Sequence, residues 1–443
     1  MRHMIIAMIL SLGLILPVAA AEPDRQADTL VRTLLSGTPD ERGAALALLR
    51  TRGKTDVVPA LISALRFVPD FARIEAMLQQ LTGAAPEDGW NGWMLWLEDH
   101  PEIEPFDGFD SFKADFYARI DENFRLFLEP GAPRTIRLEE IVWGGVVKDG
   151  IPALVDAQQI PPSEARYLND DDPVFGVALN GDARAYPLRI MDWHEMANDI
   201  VGGVPVALAY CTLCGSAILY ETLVAPRARR FVFGSSGFLY RSNKLMYDHT
   251  THSLWHQFVG KPVVGRLVGS GIVLNVRPVA ITRWKDWRDR HPETTVLSLE
   301  TGYRRDYRPG AAYGTYFASP ELMFPAQVRD DRLAPKDQVF VLRLAGREKA
   351  WPIADFAGGT VVNDDAGGLD VVLVGDAASR TVRAYAAGGQ DFTAAKVPFT
   401  LTDTAGGEWR VEEEQLVGPD GQSLDRLPGH IAYWFAWSGF GPR

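Results

Sequence analysis

Cys211 and Cys214 are the only cysteines in a chain of 443 residues, and they follow the apolar, β-like run 206–210 with two residues between them. A disulfide closing so short a loop would remove little entropy from the unfolded chain, and a chain of this length can build its core without one. The spacing therefore favours chemistry over stabilisation. It indicates thiol redox exchange or binding of a soft metal ion, because thiolates are both nucleophiles and soft ligands.

His194 is the candidate for a third member of the site. The sequence Asp192-Trp-His-Glu195 has the Asp-x-x-Glu spacing of a helix start, which predicts the imidazole in the first turn of a helix. At that end the helix dipole disfavours protonation, and a neutral imidazole is what a metal ligand or a general base requires. The alternative is a histidine that makes only local hydrogen bonds.

The segment 246–256 contains three of the eight histidines and offers further metal candidates. His252 and His256 would share a helix face at i, i+4, as paired zinc or copper ligands do. The surrounding β-forming residues favour a strand, in which the two rings would lie too far apart for one ion. Met246 is a candidate thioether ligand of Cu(I), although a methionine in a β-rich core is commoner. A surface or hydrogen-bonding role is the preferred interpretation of this segment.

The first residues predict export. A charged start at Arg2 and His3 precedes the apolar run 4–16, and the small residues 19–21 supply a cleavage site, so residues 1–21 are expected to form a signal peptide. The run is shorter than the roughly 20 residues that span a bilayer, and no transmembrane segment is expected after cleavage. The expected location is periplasmic or secreted, where a bare pair of thiols closes into a disulfide unless a metal or a reductant intervenes.

The net charge limits the classes of partner that the protein is expected to bind. A formal net charge of −12 without an evident basic patch argues against nucleic acid as a partner. The expected partner is an unidentified small molecule or a periplasmic redox protein. No organic cofactor is indicated, since Gly234-Ser-Ser-Gly237 lacks the ending of a phosphate loop and predicts a β-turn instead.

The chain divides by pattern. Residues 22–105 carry apolar residues at helical spacing, most clearly in 43–50 and 58–66, and form a weakly HEAT-like helical region. Prolines close to residue 105 indicate a boundary, and residues 106–165 are expected to be a connector.

An internal repeat organises the rest, because residues 174–203 recur without a gap at 339–368. Each copy predicts a strand, a turn, a strand ending at proline, a helix or loop, a Gly-Gly turn and another strand. We expect a first copy over 166–310 and a degenerate second copy over 311–443. The predicted fold is α+β: a helical N-terminal region, then a mostly antiparallel β-rich domain of two barrel- or sandwich-like copies.

The repeat also serves as an internal control for the site. Asp376 and Ser379 stand where the first copy has its cysteines, and Gly359 stands where it has His194. The second copy keeps the turn residues of the scaffold without these three side chains. This contrast favours a chemical role for Cys211, Cys214 and His194 in the first copy.

Seven motifs between residues 172 and 307 carry a family resemblance: Asp192-Trp-His-Glu-Met-Ala-Asn-Asp199, Gly202-Gly-Val-Pro205, Tyr210-Cys-Thr-Leu-Cys214, Phe233-Gly-Ser-Ser-Gly-Phe-Leu-Tyr240, Met246-Tyr-Asp248, Ser253-Leu-Trp255 and Thr301-Gly-Tyr-Arg-Arg-Asp-Tyr307. In them the chain resembles the bacterial family catalogued as domain of unknown function 3179. That family has no assigned activity. Its pattern usually has Pro at Thr212, Arg at His249 and no fixed histidine at His256, which implies that the histidine cluster is not part of the family's site.

Three classes of function remain open. In the preferred one, Cys211, Cys214 and His194 hold Cu(I) or Zn at the mouth of the β-rich domain, and an open fourth position would permit catalysis. In the second, the cysteines form a thiol–disulfide couple with a periplasmic partner, although no helix is predicted after Cys214 to lower the pKa of a thiol. The third is a non-catalytic binding module, favoured if the cysteines are buried and inert. Whether the protein is an enzyme is left open.

Overall fold

A computed structural model of the protein describes residues 25–68, 71–225, 227–344 and 347–440. The expected signal peptide, residues 1–21, lies outside the described residues. Within those ranges, no helix is long and apolar enough to cross a membrane.

Helices form the N-terminal region, and local sequence sets their ends. Thr38 caps the second helix, because its hydroxyl accepts a hydrogen bond from the backbone N–H of Glu41 while the Glu41 carboxylate accepts one from the N–H of Thr38. Gly53 ends that helix in the left-handed conformation, with φ 64°. The helices are α1 (Arg25–Ser36), α2 (Pro39–Arg52), α3 (Val58–Leu65), α4 (Phe71–Thr82), α5 (Gly89–Asp99) and α6 (Phe109–Ala118).

The helical region continues past residue 105, because α6 follows it. Tyr117 of α6 packs edge-on against Phe238 of the β-rich region, with ring centroids 5.1 Å apart. One apolar core therefore runs from the helices into the sheets. The interval 106–165, expected to be a connector, also contains three strands that join these sheets.

Short strands make up most of the remaining chain. The first part contains β1 (Ile141–Trp143), β2 (Leu154–Val155), β3 (Gln159–Ile160), β4 (Pro173–Leu179), β5 (Asp182–Pro187), α7 (Leu188–His194), β6 (Met196–Val201), β7 (Val204–Cys211), β8 (Ser216–Glu221), β9 (Phe233–Tyr240), β10 (Asn243–Asp248), β11 (Leu254–His256), β12 (Lys261–Val264), β13 (Val276–Arg277), β14 (Ala280–Arg283), α8 (Trp284–Arg290) and β15 (Thr295–Leu297).

The second part contains α9 (Gly314–Ala318), β16 (Gln338–Leu344), β17 (Arg347–Pro352), β18 (Thr360–Asp365), β19 (Asp370–Asp376), β20 (Thr381–Ala386), β21 (Phe392–Ala394), β22 (Thr400–Asp403), β23 (Glu408–Val411), β24 (Gln415–Val417), β25 (Ser423–Leu427), β26 (Gly429–Tyr433) and α10 (Trp434–Phe440).

Within the described part of the chain, the strands form five sheets. Their orders are β1-β9-β10-β11-β12, β13-β8-β7-β6-β2, β14-β4-β5-β15-β3, β17-β16-β26 and β18-β19-β20-β25-β24-β23-β22-β21. The last sheet is nearly closed and barrel-like, and its two end strands meet where Asn363 Nδ2 donates to the carbonyl of Phe392 at 2.8 Å. Most pairings are antiparallel; β2–β6 and β5–β15 are parallel. The predicted α+β class, with helices followed by an antiparallel β-rich region, is confirmed.

Strand pairing recurs at the spacing of the sequence repeat. Val174 pairs with Pro187, and Val339 pairs with Pro352, so each partner lies 165 residues further on. The hairpins β6–β7 and β18–β19, and likewise β7–β8 and β19–β20, follow the same offset. Shared register over three successive hairpins is what two copies of one supersecondary unit would show.

Polar contacts recur at the same offset. The Tyr186 hydroxyl donates to Asp199 at 2.8 Å, and the Trp351 indole donates to Asp364 at 2.8 Å. In both copies the asparagine before this aspartate bonds both backbone groups of a distant phenylalanine. The recurring Asn-Asp pairs therefore hold the scaffold and do not mark a reactive site.

The turn predicted at Gly234-Ser-Ser-Gly237 is wrong, because these residues lie within the buried strand β9. A Cβ on Gly234 would come 2.6 Å from the Tyr247 ring, and one on Gly237 would come 2.4 Å from the carbonyl of Val146. The glycines allow neighbouring groups to approach the strand closely, which sequence alone does not distinguish from a turn.

Candidate functional site

The two cysteines lie at the tight turn that joins β7 to β8. Cys211 ends β7 and pairs with Ser216, the first residue of β8, while Cys214 lies in the turn between them. Gly215 completes the turn at φ 56°, and a Cβ there would come 3.0 Å from the Tyr433 ring. The cysteines are free thiols with sulfurs 3.0 Å apart, and they are 1% and 0% exposed. The turn thus brings both thiols together inside the protein.

The surroundings of the two thiols differ. Burial disfavours ionisation of Cys211, but hydrogen bonds from the Cys214 thiol and from the backbone N–H groups of Lys244 and Cys214 outweigh it and lower the pKa of Cys211. Burial raises the pKa of Cys214 well above its usual value, and the neighbouring Cys211 sulfur raises it further. Cys211 is therefore the more acidic of the two thiols.

A buried ion pair lies beside Cys211. Glu195 follows α7 in the left-handed conformation, at φ 54°, and its carboxylate lies 3.0 Å from Lys244 Nζ. The hydroxyls of Thr212 and Tyr313 donate to its other oxygen at 2.8 and 3.1 Å. The side chains of Glu195 and Lys244 are only 8% and 5% exposed, so these contacts replace the water that both charges have lost. The charge of Glu195, and then burial, raise the pKa of Tyr313.

A small cavity of about 40 Å³ gives Cys211 a free side. Glu195, Lys244 and Tyr313 line it together with Cys211, whereas Cys214 does not reach it. A space of this size holds a few water molecules and no more. A reagent that enters it therefore meets Cys211 and the ion pair first.

A polar network holds Cys214 from behind. Asn243 Nδ2 donates to the Cys214 sulfur at 3.2 Å and to Gln257 Oε1 at 2.9 Å. Gln257 in turn donates to the carbonyl of Ala209 on β7 at 2.9 Å. The network ties the turn to two sheets, so both sulfurs are held in fixed positions.

Residues of the second half of the chain complete the turn. The backbone N–H of Tyr433 donates to the Cys214 carbonyl at 2.7 Å, and the Tyr316 hydroxyl donates to the Leu213 carbonyl at 2.7 Å. The cysteine turn is thus covered by α9 and β26, which lie more than 100 residues away in sequence. Access to the sulfurs depends on these covering elements.

The expected position of His194 is wrong, because His194 is the last residue of α7 and not part of a first turn. Glu195, which suggested a helix start, instead follows the helix end. Both ring nitrogens of His194 are occupied, Nδ1 by the Pro152 carbonyl at 2.7 Å and Nε2 by the Tyr307 hydroxyl at 2.6 Å. Burial lowers its pKa. The geometry is that of a histidine satisfied by hydrogen bonds.

No group of three or more His, Cys, Asp or Glu side chains that could hold a metal ion occurs among the described residues. The structure therefore does not assemble Cys211, Cys214 and His194 as one ligand set. Nor does it join the other candidates. His252 lies in a turn at φ 55°, while Met246 and His256 lie on the adjacent strands β10 and β11 at positions that are not paired with each other.

The corresponding turn of the second copy lacks this chemistry. There the Ser379 hydroxyl donates to the Asp376 carboxylate at 2.7 Å, at the two positions that the cysteines occupy in the first copy. Arg380 stands in the place of Gly215 and keeps its left-handed backbone, at φ 60°. The turn therefore forms without thiols.

Sequence analysis missed Glu195, Lys244 and Tyr313. They lie directly after α7, on β10 and in the segment before α9, and only the fold brings them to Cys211. Glu195 was interpreted only as part of a helix start, and nothing else in the sequence indicated that its carboxylate would lie beside Cys211. The only available signal was a lysine at the start of the β-like run 244–247.

Fold and site together define an α+β protein with a buried dithiol turn beside a buried ion pair. The family model described as Protein of unknown function (DUF3179) matches residues 148–443, and the chain belongs to this family. The match includes the second copy and so extends beyond the motifs between residues 172 and 307. No curated protein and no solved structure matches the chain.

Proposed function

We propose that this protein is an exported thiol–disulfide redox protein, in which Cys211 is the attacking thiolate and Cys214 is the thiol that closes the disulfide. The asymmetry of the pair carries the proposal. Cys211 lines the cavity and has the lowered pKa, whereas Cys214 is enclosed, has the raised pKa and lies 3.0 Å from the first sulfur. These are the properties of an attacking and a resolving thiol.

The reaction needs a disulfide as the oxidant. The Cys211 thiolate attacks one sulfur of that disulfide, forms a mixed disulfide and releases the other sulfur as a thiolate. Attack consumes the negative charge on Cys211 that holds the Cys214 proton in place, so Cys214 ionises more easily in the mixed disulfide. Cys214 then attacks Cys211, the second thiol leaves, and two electrons have passed from the protein to the oxidant.

The ion pair contributes to this step through its position. Lys244 supplies a backbone N–H that stabilises the Cys211 thiolate, and its side chain is fixed by Glu195 at 3.0 Å. Loss of the ion pair would release β10 from the end of α7 and weaken this N–H contact. The pair is therefore a positioning device for the thiolate.

The soft-metal site expected from sequence is the second candidate, and two buried sulfurs support it. Two sulfurs bound to one tetrahedral ion at about 2.3 Å each would lie about 3.8 Å apart. The observed separation is 3.0 Å, and both nitrogens of His194 have other partners. Metal binding would thus require both a larger distance between the two sulfurs and a different third ligand. Redox exchange is therefore the better-supported function.

Elemental analysis combined with a thiol count distinguishes the two candidates. Protein isolated from the exported fraction is denatured and its free thiols are alkylated, with and without prior reduction. We expect no stoichiometric Cu or Zn, and two additional alkylatable thiols after reduction. One equivalent of metal, with both thiols free before reduction, would overturn the proposal in favour of the metal site. The double variant Cys211→Ser/Cys214→Ser provides the background for the metal content and for the alkylation.

A further inference from the structure

A second cavity, of about 390 Å³, lies beside the cysteine turn. Tyr210 and Gly215 of the first copy face Arg380 and Tyr433 of the second copy across it. It shares no lining residue with the small cavity at Cys211. Its volume lies in the range of sites for small organic ligands.

The cavity has an apolar wall and a cationic end. Arg380 and Lys336 line it, and neither makes an ion pair with any described carboxylate. Lys336 Nζ donates to the backbone carbonyls of Tyr316 and Ser319, which carry no full negative charge. Arg189, by contrast, is neutralised by Asp172. The apolar wall consists of Phe175, Leu188, Ile281, Phe317 and Ile431. Two cations without a carboxylate partner, beside an apolar wall, suit a ligand with one anionic group on a hydrocarbon body.

Arg380 is not needed for the local backbone. It occupies a left-handed position, φ 60°, that corresponds to Gly215 of the first copy and that glycine would adopt at lower cost. An arginine at this position makes the turn less stable than a glycine would. Its side chain points toward the shared cavity, where it faces Asp192 and the tyrosines.

Asp192 supplies an unused hydrogen-bonding atom. It is 7% exposed, lines the cavity, and its Oδ1 has no hydrogen-bond partner within the described chain. Unpaired buried oxygens are costly in a folded protein and commonly mark a place for a ligand. Burial, and then the charge of Glu195, raise the pKa of Asp192 to about 7, so its carboxyl carries a proton over much of the neutral range and can donate to an anion.

We propose that this cavity binds a small organic monocarboxylate, with its carboxylate between Arg380 and Lys336 and hydrogen-bonded to Asp192, and its carbon body against the apolar wall. The inference is independent of the thiol chemistry, because no cysteine lines this cavity. The ligand would touch Gly215 and Tyr433, which hold the cysteine turn, without reaching a sulfur.

Calorimetric titration at pH 6.5 tests the proposal with three probes, hexanoate, benzoate and phenylacetate, each paired with its uncharged amide. We use the Cys211→Ser/Cys214→Ser protein so that thiol oxidation does not contribute. At least one carboxylate should bind saturably at one site. The affinity of its amide should be lower by about tenfold or more. Absence of saturable binding by all three carboxylates, or equal affinity of acid and amide, would overturn the proposal.

Arg380→Gly is the decisive variant, because glycine suits the backbone at this position and the fold should persist. Arg304→Gly, at an exposed loop arginine, is the matched control. Arg380→Gly should weaken binding of the carboxylate about tenfold or more while Arg304→Gly leaves it unchanged. Lys336→Gln gives an independent second loss of charge. Unchanged affinity in both cavity variants would contradict the assignment.

Discussion

Replacing Asp192 by asparagine should stabilise the protein at alkaline pH and have little effect at acidic pH. Burial, followed by the charge of Glu195, raises the pKa of Asp192 from its ordinary 3.8 to about 7. Tyr210 of β7, Arg380 of the turn before β20 and Tyr433 of β26 are the other ionisable groups that face it. Asparagine keeps the shape of the carboxyl and removes its charge.

The magnitude follows from the difference between the folded and unfolded states. A pKa raised by about three units corresponds to about 4 kcal/mol, since each unit is worth about 1.4 kcal/mol. Because the folded state binds the proton of Asp192 more tightly than the unfolded state, this contribution is fully present below about pH 4 and is lost as pH rises toward 7. At pH 8 the asparagine variant should therefore be more stable than the wild type by up to about 4 kcal/mol.

Urea denaturation of both proteins between pH 4.5 and pH 8 measures this difference. The free energy of unfolding of the variant minus that of the wild type should rise across this range. Taking this difference cancels the contribution of groups that titrate alike in both proteins. A difference that does not change with pH would refute the assignment of a buried, protonated carboxyl. Asp170→Asn, at an exposed carboxylate close by, should leave the pH dependence unchanged.

Three further predictions concern the scaffold and the thiols. Lys244→Met should destabilise the protein by about 3–5 kcal/mol because it leaves the Glu195 charge buried without its partner, and adding Glu195→Gln should recover most of that loss in urea denaturation. Asn198→Ala should cost about 2–4 kcal/mol in the same assay, since it removes the hydrogen bonds to the backbone N–H and C=O of Phe233 in β9. A cost below about 1 kcal/mol would contradict that role. In the reduced protein at pH 7, iodoacetamide should modify Cys211 well before Cys214, as followed by peptide mass mapping; equal rates would contradict the asymmetry of the pair.

The thiol pair and its setting could be predicted because the signals are local. The apolar run before Cys211 forms β7, the β-like residues after Cys214 form β8, and the repeat at an offset of 165 residues recurs in the strand pairings. Strand alternation and turn residues are written in neighbouring positions, so a single chain displays them.

The rest of the site could not be predicted because it depends on long-range contacts. Tyr313 lies 118 residues from Glu195, and nothing local to either residue indicates their hydrogen bond. His194 was misplaced because Asp-x-x-Glu occurs here at a helix end, where Glu195 takes a left-handed conformation that sequence does not reveal. Glycines that allow close packing of a strand likewise resemble glycines of a turn.

Methyl methanethiosulfonate provides the most direct test of the redox proposal, because it is small, uncharged and specific for thiolates. In Cys214→Ser, Cys211 should attack the reagent, expel methanesulfinate and retain one methylthio group in the intact mass. In the wild type, Cys214 should then expel methanethiolate, so that the protein loses two hydrogens and retains no methylthio group. Two methylthio groups on the wild-type protein, or equally fast labelling of Cys211→Ser and Cys214→Ser, would contradict a Cys211–Cys214 redox couple.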